Sequence, residues 1–140
     1  MTDHYQNEKE IEAVVRGFES CATTAADFKH ASHLTVAVWY LSQGSIAEAL
    51  EKMRANLFRF VDHHGVSREK YNETITLFWL KLAQKFLDQA DKNSSLVETT
   101  NRLIEALGDA QSVFDYYSRE RLWSPEAKRM WVEPDLKPLD

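Results

Sequence analysis

The sequence predicts an all-α, single-domain helical bundle of about five to six helices with an extended C-terminal strap. Three observations carry that prediction. All three prolines lie at or after Pro125 and only four glycines occur, so the long body of the chain holds few residues that oppose a helix. Apolar residues recur at the three- and four-residue spacing of a helix face. Ser45-Ile46-Ala47-Glu48 and Ser95-Leu96-Val97-Glu98 read as capping boxes, in which serine and glutamate satisfy free N–H groups at a helix start. With 140 residues, 44% of them hydrophobic and 28% charged, the chain is long enough for one real core. We assign the whole of 1–140 to one domain, with an ordered core over about 7–131 and an extended tail over 132–140.

The first helix is expected from about Asn7 to Ala22, with Ile11, Val14, Val15, Phe18 and Ala22 on one stripe and Glu19 at its border. Cys21 to Ala26 is the connection. The second helix starts near Asp27, whose carboxylate is a suitable N-cap, and ends near Leu41. Ser42-Gln43-Gly44 stops it, with Gly44 suited to a left-handed cap. The third helix runs from Ile46 with Leu50, Met53, Leu57 and Phe60/Val61 inward; Lys52, Arg54 and Arg59 read as a solvated face. It ends at His63-His64-Gly65-Val66, with Gly65 and Val66 fitting the two positions after a C-cap.

Ser67 is the expected cap of a fourth helix reaching about Ala90. Its segment Tyr71–Leu80 is apolar on nearly all sides, which marks a central helix. A fifth helix follows from Leu96 to about Leu107, then a short one over 110–117. Ser124-Pro125-Glu126 opens another short helix, with serine as cap and proline at the first helical position. The proline-bearing tail from Val132 onward cannot be helical throughout, and Trp131, Val132 and Leu136 suit a strap packed along the bundle.

Composition narrows the function classes. Lys+Arg 17 against Asp+Glu 22 gives a net charge of -5, which argues against a nucleic-acid groove. It also argues against a DNA-binding reading of the turn at Ser42–Gly44. No apolar run approaches a membrane span, and Met-Thr-Asp-His-Tyr-Gln is no signal peptide. A single Cys21 excludes an intramolecular disulfide and fits a reducing, cytoplasmic setting. The glycines are isolated, so there is no phosphate loop, and no G-x-S-x-G elbow is present.

The chemistry-bearing residues gather at two places. His30 and His33 lie three apart, hence on one helix face, in line with Ala37 and Tyr40/Leu41. They suit a pair of metal ligands or an acid/base pair; the plainer alternative is two half-buried histidines hydrogen-bonded to their neighbours. Glu73 follows the line of Thr76/Leu77, Leu80 and Leu87 on the apolar helix, where a carboxylate needs a partner. Tyr71, Thr74 and Thr76 supply hydroxyls beside it. His64 falls on the inner stripe of its helix and is a reserve ligand, although its place in a last turn already explains it.

The pieces Phe18-Glu19, Phe28-Lys29-His30-Ala31-Ser32-His33-Leu34, Tyr71-Asn72-Glu73-Thr74-Ile75-Thr76 and Tyr117-Ser118 through Trp131-Val132-Glu133-Pro134-Asp135-Leu136-Lys137-Pro138-Leu139 together resemble a family of small, uncharacterised bacterial all-helical proteins. The match spans nearly the whole chain and departs at Ala37-Val38-Trp39. The family carries no established activity. The resemblance implies only that Glu19, His30, His33, Tyr71, Glu73 and Thr74 form one constellation.

Three functional expectations follow. His30, His33, Glu73 and Glu19 would give a mixed nitrogen and oxygen set for a divalent transition metal such as zinc, iron or manganese. A metal-free pocket would instead use His30, His33, Tyr71, Glu73 and Thr74 to bind a small molecule, with Glu73 orienting an imidazole. In the third, the polar cluster is structural and the protein is an interaction or assembly module presenting Trp123 and Trp131. A homodimer is compatible with all three. Whether any of them includes catalysis is left open by the residues.

Overall fold

The computed structural model describes residues 4–139; Met1, Thr2, Asp3 and Asp140, with the first part of the N-terminal reading and the end of the predicted tail, lie outside the described residues. Five main helices, α1 (Glu8–Glu19), α2 (His30–Leu41), α3 (Ile46–His63), α4 (Glu73–Gln89) and α5 (Leu96–Leu107), are followed by two short ones, α6 (Arg119–Leu122) and α7 (Pro125–Arg129). Single 3-10 turns occupy Arg68–Lys70 and Ala110–Asp115. No strand occurs among the described residues. The fold is the all-α, single-domain bundle that helical spacing and capping predict.

Local chemistry sets most helix ends. Asn7, Ser45, Asn72, Ser95, Ser118 and Ser124 each accept a first-turn N–H, and the first, second and fourth of these complete reciprocal boxes with Glu10, Glu48 and Glu98. At the end of α3, Gly65 takes φ 71°, and the Val66 N–H donates to the Val61 carbonyl at 2.8 Å. That bond closes the left-handed C-cap.

Four boundaries differ from expectation. Asp27 does not cap α2; Lys29 precedes the helix without a side-chain cap, and Asp27 lies in a turn closed by Thr24. Gly44 is not left-handed, because Ser42 already ends α2 with helical backbone angles. Ser67 caps the 3-10 turn, while Asn72 is the cap of α4 and receives the Ile75 N–H at 3.0 Å. The first helix stops at Glu19, since Cys21 itself turns left-handed at φ 64°. A Cβ makes that conformation costly by about 1–2 kcal/mol. The buried Cys21 side chain, with Sγ 3.9 Å from the Arg59 carbonyl oxygen, is held there by tertiary packing.

The most enclosed helix is α2, not α4 alone. It packs against α1, α3, α4 and α5, and Leu34 through Val38 are all buried. Its apolar residues surround the helix, which suits an element covered on every side. Phe18, Phe28 and Phe60 join α1, the α1–α2 connection and α3; the first two rings stack at 4.4 Å. The tail from Trp131 to Leu139 is an irregular strap. Its Val132 carbonyl accepts from the Tyr117 hydroxyl at 2.7 Å, Asp135 accepts from Ser118, and the Leu136 N–H donates to the Tyr116 carbonyl. Among the described residues no helix is long and apolar enough to cross a membrane.

Candidate functional site

His30 is the first residue of α2 and His33 the fourth, so both rings project from one face at its uncapped start. That face meets α4. The His30 ring lies 4.5 Å, centroid to centroid, from Trp79, and its Nε2 donates to the Leu107 carbonyl at 2.9 Å. This bond fixes the proton on Nε2 and leaves Nδ1 as the free ring nitrogen. The His33 ring packs 4.4 Å from Phe28, and its nitrogens make no hydrogen bond to another described residue. Burial disfavours its imidazolium and the neighbouring His30 adds to that, which pushes the His33 pKa down to about 4. At neutral pH His33 is an uncharged donor and acceptor with open valences.

Both histidines and Ala37 line a cavity of about 370 Å³. Its walls are Met53 and Leu57 from α3, Ile75, Trp79 and Leu80 from α4, and Val113, Phe114 and Trp123 from the segment after α5. Polar atoms are few: the two imidazoles, Thr76, Gln111 and, at the rim, Arg119, whose guanidinium carbon sits 4.1 Å over the Phe114 ring. His33, Leu57, Ile75 and Thr76 also line a second hollow of about 280 Å³ beneath Phe28 and Phe60.

Glu73 is buried and partnered, but not by a histidine. Arg54 grips it with both ends of the guanidinium, Nε to Oε1 at 3.0 Å and the second nitrogen to Oε2. The Tyr71 hydroxyl donates to Oε1 at 2.6 Å. Burial alone would raise the Glu73 carboxyl; Arg54 and Tyr71 more than offset it and hold the carboxyl below its ordinary value. Burial and the same carboxylate raise the Tyr71 phenol. Arg54, read from the sequence as part of a solvated face, is therefore the partner that lets Glu73 be buried as an anion.

The remaining residues of the expected constellation lie in separate places. The Glu19 carboxylate accepts from the Tyr40 hydroxyl at 2.6 Å, and Asn56 donates to the same hydroxyl. Thr74 is fully buried and ties down the strap: its hydroxyl donates to the Met130 carbonyl at 2.9 Å and accepts the Val132 N–H at 3.2 Å. His64 ends α3 with its ring 4.5 Å from Phe60; its Nε2 is buried without a partner, and it does not line the larger cavity.

The expected ligand set His30, His33, Glu73 and Glu19 is thus not brought together. No group of three or more His, Cys, Asp or Glu placed to hold a metal ion occurs among the described residues. Two of the four donors are committed elsewhere, Glu73 to Arg54 and Glu19 to Tyr40, so the donor set does not fit a transition metal. Trp131, expected as a surface aromatic, is half-buried against Tyr117 and Lys81, whereas Trp123 is 49% exposed. The sequence reading missed Trp79, Phe114 and Arg119 as cavity residues. Only the apolar character of α4 pointed at the first, and the other two sit in a stretch with no helical period long enough to orient them.

Comparison with protein-family models, with curated proteins and with solved structures finds no match to this chain.

Proposed function

We propose that the cavity between α2, α4 and the segment 110–123 binds a small, mainly apolar molecule that carries a hydrogen-bonding group. The observation that carries this reading is His33. Its side chain is a neutral imidazole without a hydrogen-bond partner among the described residues, set in the wall of a mainly apolar space of about 370 Å³. Ligand sites commonly combine this size, an apolar lining and a few convergent polar groups. In this reading Trp79, Phe114 and Trp123 supply apolar contact. His33 and the free Nδ1 of His30 orient the polar group.

The test is calorimetric titration with 2-naphthol, a neutral apolar probe with one hydroxyl, backed by a thermal-shift screen of metabolites. Saturable 1:1 binding is expected. Ala110→Trp, which fills the cavity from its exposed rim, should abolish it, and His33→Phe should weaken it by roughly three- to tenfold, the worth of one hydrogen bond. Absence of binding by naphthol and by every screened metabolite would sink the reading.

A further inference from the structure

Trp123 belongs to two hollows. One face of its surroundings is the apolar cavity; the other is a cleft of about 720 Å³ floored by Phe58 and Tyr71. Charge in that cleft runs against the rest of the molecule. Arg54, Arg68, Lys128 and Arg129 line it, against the carboxylates of Glu69 and Glu73 only, in a chain whose net charge is -5. The cleft arginines Arg54 and Arg68 are already engaged, Arg54 by Glu73 and Arg68 by Asp62. Lys128 and Arg129, at the end of α7, make no ion pair or side-chain hydrogen bond with any described residue.

Resting on the cavity reading above, we infer that the ligand is an amphipathic anion, whose apolar body enters the cavity while its carboxylate or phosphate head lies in the cleft against Lys128 and Arg129. Three features support this. Of lysine and arginine only Arg119, stacked on Phe114, lines the apolar cavity among the described residues, so an anionic head is poorly served within it. The basic cleft has two uncommitted cations but a broad, open shape, so a bare anion would be held weakly. Trp123 lines both, with its ring centroid 6.2 Å from that of Phe114 and half its surface exposed. A tryptophan shared by an apolar cavity and a charged cleft suits an amphipathic ligand, since the indole combines an apolar body with a polar N–H. Cations at such a rim recognise the charge through water-screened attraction, which salt weakens.

The experiment compares 2-naphthol, 2-naphthoate, 2-naphthyl phosphate and inorganic phosphate on the wild-type chain and on Lys128→Ala/Arg129→Ala. Arg129 is exposed and Lys128 half-buried, and circular dichroism checks the fold of the double variant. Expected are at least about tenfold tighter binding of one or both naphthyl anions than of naphthol, collapse of that advantage in the double variant and its decline with added salt. Ala110→Trp should abolish binding of naphthol and of the naphthyl anions alike, which places the body in the cavity. Equal affinity of naphthol and both anions, untouched by the double substitution, overturns the inference while leaving the cavity reading standing. Inorganic phosphate binding as tightly as naphthyl phosphate also overturns it, in favour of a separate anion site. If none of the naphthyl compounds binds, the cavity reading fails and this one with it.

Discussion

At the residue scale, two titratable groups, the buried Glu73 and the half-buried His33, owe their state to opposite causes. Glu73 remains an anion because Arg54 and Tyr71 outweigh burial, whereas His33 is neutral because nothing does. Each has a consequence for stability. Breaking a fully buried ion pair costs about 3–5 kcal/mol. Arg54 is 37% exposed, so water replaces part of what it supplies, and Arg54→Ala should cost about 1–2 kcal/mol in urea unfolding at pH 7. The folded Glu73 carboxyl lies below its ordinary 4.5, so its contribution is complete above about pH 4.5 and is lost as pH falls through the folded value. Arg54→Ala should flatten that acid limb; a variant as stable as wild type, with an unchanged limb, would show the pair to be idle. For His33 the folded value near 4 lies below the ordinary 6.5, so the unfolded chain binds the proton first and stability falls as pH drops from 6.5 towards 4. His33→Gln should lose less stability than wild type between pH 7 and pH 5. Parallel curves would contradict the assigned cause.

At the element scale, the start of α4 organises three neighbours with three successive residues. The Asn72 side chain caps the helix through its oxygen and donates through its nitrogen to the Leu122 carbonyl at 2.8 Å, locking α6. Glu73 draws in Arg54 of α3, and Thr74 fixes the strap. The side chains of Asn72 and Thr74 therefore hold the C-terminal part of the chain in place. Thr74→Val keeps the shape of the side chain but leaves the Met130 carbonyl and the Val132 N–H without their partner. A loss of about 1–3 kcal/mol is expected, together with faster proteolytic cleavage within 130–139 than within α1–α5. Uniform susceptibility along the chain would count against a locally held strap. This element also shows how far the sequence could be read. Ser45, Ser95 and Ser124 are identifiable as caps because cap and helix are adjacent in the chain. The role of Thr74 is not, because its partners are Met130 and Val132.

At the scale of the whole molecule, the cavity is built from two kinds of wall. Helices α2, α3 and α4 pack closely on one another and form its back. Its front is the segment of short turns from Ala110 to Trp123, held to the bundle through Asn72 and the strap. Openings of such a wall are local and less costly than global unfolding. Saturating 2-naphthol should therefore slow amide hydrogen exchange in 110–123 more than in α1 or α5. Protection spread evenly over the chain would argue that the probe binds elsewhere or acts only on global stability.

The sequence by itself determined the class of fold, the five main helices and most of their starts. Those features depend on contacts within three or four residues: the spacing of Ile11, Val15 and Phe18, the reciprocal boxes at Ser45 and Ser95, the left-handed turn at Gly65. It also marked His30 and His33 as sharing a face and Glu73 as buried and in need of a partner. Tertiary structure alone decided which partner. A carboxylate is satisfied by whichever cation the packing of α3 on α4 delivers, and that was Arg54 rather than an imidazole. The same holds for Glu19 with Tyr40 and for Thr74 with the strap, so the expected constellation separates into four groups, those three and the histidine pair. What remains around the histidines is a space, and a space has no residues of its own. Its existence depends on side chains from α2, α3, α4 and the segment 110–123 failing to meet, which no local pattern encodes.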